Sequence, residues 1–333
     1  STPKGNYGSI ETKGWEATIG WRDAFKVAGK DFNYSVKASV WDSRTKVKQF
    51  YNMNGNILTY YKGKEIGEIW GFRTDGYFLS NEEANNWAVD KFHKNGSNFR
   101  EYAGDLKFID INGDGKIDYG KGTLDDHGDL ERIGSQSPRY FFGINLGANW
   151  NGIGVSVFLQ GVGKRDWYPS CESGFFWGMY NRPYGYLPKV HTQDVVDVDY
   201  STTNWVVTNA SNKPYFTRPV AYSANRNDGP LTFENDYYMQ NAAYVRLKNL
   251  TVDYTFPSKL TKKIHIEKLK VYFSGENLFT FSPIYKHTKM FDPETLGFGD
   301  SDFGSNVGGL GGVGQGYTYP MLKTYTVGLN ITF

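Results

Sequence analysis

The sequence predicts an all-β fold: seven or so antiparallel strands of a transmembrane β-barrel, with short connections on one side and long ones on the other. Three observations predict it. The last ten residues alternate strictly, with Tyr325, Val327, Leu329, Ile331 and Phe333 on one face and Thr324, Thr326, Gly328, Asn330 and Thr332 on the other. That run has about the 9–11 residues a tilted strand needs to cross a bilayer. The same alternation recurs in the segments upstream, and the connections between those segments run short, long, short, long, short, long. In an antiparallel barrel alternate connections lie on one side of the membrane, so all three short ones share a face, as periplasmic turns do, and all three long ones share the extracellular face.

Each strand is justified in turn by its period-two pattern. Segment 10–22 places Trp15, Ala17, Ile19 and Trp21 in phase, and a polar, glycine-containing connection is expected over 23–31. Phe32, Tyr34, Val36, Ala38 and Val40 open a second strand that runs to about residue 48. The long segment 49–139 holds one expected helix. Ser80-Asn-Glu-Glu83 reads as a capping box, Ala84, Trp87 and Ala88 share a face, and Gly96 follows the end. Strand three, 140–150, aligns Phe142, Ile144, Leu146, Ala148 and Trp150, and Asn151-Gly152 is a strong two-residue hairpin signal. Ile153, Val155, Val157 and Leu159 continue as strand four, before a second long segment, 166–242. Strand five, 243–256, shifts its apolar phase by one near Asn249, as a β-bulge does. A short lysine-rich connection, 257–267, leads to strand six, 268–282, with Leu269, Val271 and Phe273 in phase. The third long segment, the glycine-rich 283–319, leads to the last strand. This topology puts Trp21, Phe32, Trp150, Phe256 and Phe333 at periplasmic strand ends as an aromatic girdle. Seven strands leave the first as an unpaired edge in lipid, which hydrogen bonding forbids. The 1–333 segment is therefore expected to be part of a barrel, with more strands lying before Ser1 or coming from another chain.

Composition agrees. Charged residues make up 22% of the chain and no apolar run approaches the ~20 residues of a membrane-spanning helix, which excludes a helical bundle but not a barrel. Aromatics reach 17%, as interface belts demand. Net charge is +2, from 37 basic and 35 acidic residues, so no nucleic-acid field is implied. Cys171 is the only cysteine, which excludes an intrachain disulfide.

The clearest candidate site is Asp110-Ile-Asn-Gly-Asp-Gly-Lys-Ile-Asp118, which fits the first nine positions of an EF-hand-type calcium loop. Asp110, Asn112 and Asp114 supply oxygens, Gly115 makes the sharp turn, Lys116 offers its carbonyl and Asp118 closes directly or through water. Position twelve is Lys121 rather than Glu, so the loop must recruit a later carboxylate; the alternative is a plain Asp/Asn/Gly turn. A structural calcium of extracellular affinity is expected to staple the first long connection. The run 167–187 is dense in rings: Trp167, Tyr168, Phe175, Phe176, Trp177, Tyr180, Tyr184 and Tyr186. Lumen-facing rings such as Trp177 and Tyr180 can stack on sugars while Arg182 bonds hydroxyls, but packing within a large loop is the favoured reading. Gly309-Leu-Gly-Gly-Val-Gly314 matches a dinucleotide fingerprint only by letter, because a strand rather than a helix follows, and it reads as loop. His93, His127, His191, His265 and His287 show no metal spacing, and no catalytic arrangement stands out.

As a set, several stretches resemble the C-terminal third of a SusC/RagA-like TonB-dependent transporter, in that family's order. They are Gly67-Glu-Ile-Trp-Gly-Phe-Arg-Thr-Asp-Gly76, the aspartate-rich stretch with its preceding Gly104-Asp-Leu-Lys-Phe108, and Tyr244-Val-Arg-Leu-Lys-Asn-Leu250. Gly275-Glu-Asn-Leu-Phe-Thr-Phe281, Asp292-Pro-Glu294, Tyr319-Pro320 and Gly328-Leu-Asn-Ile-Thr-Phe333 complete them. The resemblance implies an outer-membrane barrel of about 22 strands with an N-terminal plug. It implies active import of an oligosaccharide (alternatively a peptide) driven by TonB through the plug, with a SusD-like lipoprotein as lid and no enzymatic step. It also points to Asp129 as the last calcium ligand, with Asp125 and Asp126 as rivals. A passive channel or structural anchor would share the barrel features, and a soluble carbohydrate-binding sandwich would require polar outward faces instead.

Overall fold

The computed structural model describes residues 5–91, 93, 101–170, 173–180, 187–220, 229–296, 313–314 and 318–333. Seven long strands form one sheet: β1 (Gly8–Val27), β2 (Lys30–Phe50), β3 (Arg139–Trp150), β4 (Ile153–Lys164), β5 (Tyr244–Thr255), β6 (Lys268–Phe281) and β7 (Thr324–Thr332). They lie side by side in chain order and every neighbouring pair is antiparallel. The sheet is open, with β1 and β7 as its outer strands.

Register shows why these residues make this sheet. One row of cross-strand partners reads Trp21, Val36, Leu146, Val157 and Leu250; the next reads Tyr34, Ala148, Val155, Val252, Phe273 and Val327. The intervening row on the opposite face is Arg22, Ser35, Gly147, Ser156, Thr251, Ser274 and Thr326. One face is thus apolar across the sheet and the other polar. On the apolar face Ile19 is 74% exposed, Val327 82% and Phe333 86%. A contiguous apolar face of this extent has no stable place in water, and a bilayer supplies what covers it. Polar-face neighbours bond one another instead, Thr18 Oγ1 with Ser39 Oγ at 3.0 Å and Thr251 Oγ1 with Ser274 Oγ at 2.8 Å. The polar face is the lumenal one.

Turn chemistry sets the hairpins. Asn151 and Gly152 both have positive φ, 49° and 87°, so the two-residue turn has the twist that antiparallel strands require. The first hairpin departs from expectation. The strand runs on to Val27 and turns over Ala28 and Gly29 alone, with φ 48° and 73°. Asp23 interrupts the apolar phase, but Phe25 and Val27 resume it. Phe25 rather than Trp21 therefore joins the aromatic end, 5.0 Å from Phe32, while Trp150 Nε1 donates to Val27 O at 3.2 Å. The bulge in β5 is present: Phe158 pairs with Asn249 and Leu159 with Leu247, leaving Lys248 as the extra residue.

The buried core lies in the long connections and not in the sheet. Ile57, Trp70, Phe72, Phe108, Trp167, Phe176, Phe216 and Phe291 join in one cluster drawn from all three. Short pairings shape it: Glu68–Phe72 with Leu130–Ser135, Thr74–Tyr77 with Leu106–Phe108, and Val89–Asp90 parallel to Lys116–Ile117. The expected helix is α1 (Asn81–Asn85), a single turn capped by Ser80 Oγ, which accepts from Glu83 N at 3.1 Å. Trp87 and Ala88 lie beyond it, where Trp87 Nε1 donates to Phe108 O at 2.7 Å.

Candidate functional site

Among the described residues the aspartate-rich turn is organised by its own side chains. Asp110 accepts from the backbone N–H of Gly113 at 2.7 Å and of Gly115 at 2.7 Å, Asn112 from Asp114 N at 3.0 Å, and Asp114 from Lys116 N at 2.9 Å. Asp118 accepts from Gly120 N at 2.8 Å. Gly115 has φ 81°, the left-handed conformation that the sharp turn requires. Asp129 is fully buried and reaches back to the turn, accepting from Ile111 N at 2.7 Å, Asn112 N at 3.4 Å and Asp118 N at 2.8 Å. Burial raises its carboxyl pKa, three backbone N–H groups oppose that, and the charge of Asp110 adds to it. Of the rivals, Asp126 turns outward to Lys121, 3.4 Å away. No three acidic, histidine or cysteine side chains close on one point at ligating distance among the described residues. The donor set of Asp110, Asn112, Asp114, the Lys116 carbonyl, Asp118 and Asp129 is all oxygen, which suits a hard cation such as calcium.

The aromatic run is differently placed. Trp177 and Tyr180 are fully buried. Trp177 Nε1 donates to Ser170 O at 2.8 Å, its ring lies 5.0 Å from Tyr238, and Tyr180 OH donates to Thr217 O. Neither ring has a free face for a sugar, which corrects their candidacy as stacking residues; apolar rings in a long connection bury against one another before they meet solvent. Arg182, Tyr184 and Tyr186 lie outside the described residues, as does Cys171. Of the stretch 309–314 only Val313–Gly314 is described, as a short strand parallel to Tyr168–Pro169.

Two ionic networks escaped the sequence reading. In one, Arg246 from β5, 2% exposed, donates to Asp292 Oδ1 at 2.5 Å, Glu294 Oε2 at 2.6 Å and Thr280 Oγ1 at 2.8 Å. Lys248 adds a bond to Glu294 Oε1 at 2.8 Å, and Arg165 donates to Pro293 O at 3.2 Å. The third connection is thereby clamped to the lumenal wall. In the other, Arg218 of the second connection holds Asp105 of the first through two contacts at 2.8 and 2.9 Å, beside buried Glu101 and the Asp90–His93 pair at 2.8 Å. Burial, then repulsion from Asp105 and Asp90, pushes the Glu101 carboxyl well above the usual carboxylate range. The folded protein keeps a proton there that the unfolded chain releases above about pH 4.3. The contribution of Glu101 to stability is therefore fully present below that pH and is lost as pH rises toward the folded-state value. Glu101→Gln is expected to raise the thermal midpoint at pH 8 and flatten its decline between pH 5 and 8. A Gln variant less stable than the parent at pH 8 would show that Glu101 is ionised.

The apolar outer face, the polar lumenal face and the packed connections on one side together define a segment of a transmembrane β-barrel. No protein-family model matches the chain. Over 98% of its length it is 25% identical to TonB-dependent receptor P26 of Formosa agariphila, and 26% identical to TonB-dependent receptor P3 of the same organism. It spans 30% and 29% of those two relatives, less than a third of either. In fold, 98% of the chain superposes on 30% of a chain in the structure of the RagAB peptide transporter, with a TM-score of 0.61 at 19% identity. A second RagAB structure, the peptide importer in its closed-closed state, matches at a TM-score of 0.58 and 17% identity. The resemblance to SusC-like TonB-dependent transporters extends along 98% of the chain, and its fold is that of part of a β-barrel.

Proposed function

We propose that the chain forms the C-terminal barrel wall and extracellular loops of a SusC-like transporter in the outer membrane. That transporter imports a nutrient oligosaccharide, powered by TonB acting on a plug and covered by a SusD-like lipoprotein. The observation that carries this reading is the two-faced sheet joined to three long connections that pack together on one side. The barrel wall supplies passage and positioning, so no residue here performs chemistry. The second reading, import of peptides by the same machinery, is favoured by the likeness to the RagAB peptide transporter. A passive channel would lack a plug. The test is purification from membranes in mild detergent with mass spectrometry of all that accompanies the chain. A plug-bearing polypeptide together with a surface lipoprotein is expected, and recovery from the soluble fraction would overturn the barrel.

We further propose that calcium binds the turn formed by Asp110, Asn112, Asp114, Lys116, Asp118 and Asp129. The support is the all-oxygen donor set and the buried Asp129 brought back onto the turn from eleven residues beyond Asp118. Calcium there would tie the ends of 110–129 together and stabilise the first connection by mass action. Adding millimolar calcium to chelator-treated protein is expected to raise its thermal midpoint, and Asp129→Asn to abolish that rise. No shift and no bound metal would remove calcium from the description.

A further inference from the structure

Of the four tryptophans on the long strands, Trp15 and Trp21 of β1 and Trp150 of β3 keep the phase of the apolar face, whereas Trp41 of β2 falls on the lumenal phase. It nevertheless remains 42% exposed, stacked flat on Phe141 with centroids 3.9 Å apart and planes 3° from parallel. The pair floors a cleft of about 400 Å³ where β2, β3 and β4 meet the first long connection, with Ser43, Ser135 and Lys164 on its walls. Charges around it are mostly spoken for: Arg139 is gripped by Asp42, while Glu65 lies 3.6 Å from Arg44 and 3.2 Å from Lys46. Exposed Lys164 has no ion-pair partner among the described residues.

A rigid indole left open on a wet face is a ring awaiting a flat partner with an apolar side, which a pyranose supplies. Hydroxyl-bearing walls match its polar edge, and the uncompensated ammonium of Lys164 calls for one negative charge beside it. We propose that this cleft is a ligand subsite for an acidic oligosaccharide, with Trp41 stacking on a sugar ring and Lys164 pairing with the carboxylate of a uronic acid. The subsite rests on the import reading above and deepens it.

The test uses the full-length transporter in detergent and titration calorimetry with three probes: a galacturonate hexamer, a neutral glucose hexamer and hexaglutamate. The galacturonate hexamer is expected to bind most tightly. Trp41→Ala should weaken it by about tenfold or more, and Trp41→Phe, which keeps a ring, by much less. Lys164→Gln should weaken it and reduce the salt dependence while leaving the weaker neutral hexamer unchanged. Heat-modifiable gel mobility of each variant reports an intact barrel, so loss of binding is separable from loss of fold. Galacturonate binding that is indifferent to both residues would overturn the subsite while leaving import standing. Trp41-dependent binding of hexaglutamate in preference to the sugar would overturn the ligand class, and no binding of the galacturonate hexamer would overturn the proposal outright. The import reading fails separately, if cells carrying the parent transporter take up no nutrient in a TonB-dependent manner.

Discussion

Arg246→Ala is expected to destabilise the protein by about 3–5 kcal/mol, because it leaves Asp292 buried without its counter-charge and Glu294 with Lys248 alone. Asp292, 7% exposed at its side chain, and Glu294 converge on that one guanidinium. Asp292 also accepts from Met321 N at 2.9 Å, so losing Arg246 loosens both the start of the third connection and the approach to β7. Urea unfolding of the purified barrel reads the global effect, and hydrogen exchange over 283–296 reads the local one. Neutralising Asp292 as well, in Arg246→Met with Asp292→Asn, should recover a large part of the loss, since Glu294 keeps Lys248 and no unpaired carboxylate then remains buried. An Arg246→Ala variant as stable as the parent would mean that water reaches the cluster and screens it.

That network shows where sequence reading stopped. The stretches containing Arg246 and Asp292 were each conspicuous, but they lie far apart in the chain and nothing in either names the other; only the fold of the third connection back onto the lumenal wall joins them. The buried Asp90–His93 pair and the Arg218–Asp105 contact were hidden for the same reason. Strands, by contrast, carry their signal locally. Period two places each residue on one face, and a bilayer outside with water inside makes those faces chemically opposite, so all seven strands could be read within a few residues of their ends. The largest boundary error came where Asp23 broke the apolar phase for one position while backbone pairing carried on to Val27. Rings are legible in another way, since packing is the favoured reading of the run 167–187 and Trp177 and Tyr180 are buried. That run draws attention to Trp177 and not to Trp41, yet Trp177 is fully buried and Trp41 42% exposed, a difference set by packing partners distant in sequence. Asp129 was placed by resemblance rather than by spacing, and it is the residue that the fold returns to the aspartate-rich turn.

Two neighbouring positions on β3 test the inside–outside assignment of the whole sheet. Leu146 sits in an apolar row between Val36 and Val157, whereas Asn145 pairs with Lys37 and Phe158 on the lumenal face. Leu146→Arg places a charge in hydrocarbon near mid-membrane and is expected to cost about 2–4 kcal/mol. Asn145→Arg puts the same group one residue away into the wet lumen, where its charge stays hydrated, and should change stability by less than about 1 kcal/mol. Backbone propensity, side-chain size and depth are nearly matched between the two, so face is what separates them. Reversible unfolding in phospholipid vesicles gives both numbers on one scale. Equal costs would mean that both faces of β3 meet the same medium, as in a soluble sandwich. A reversed order would turn the barrel inside out and move the Trp41 cleft to the lipid side, where an acidic sugar could not reach it.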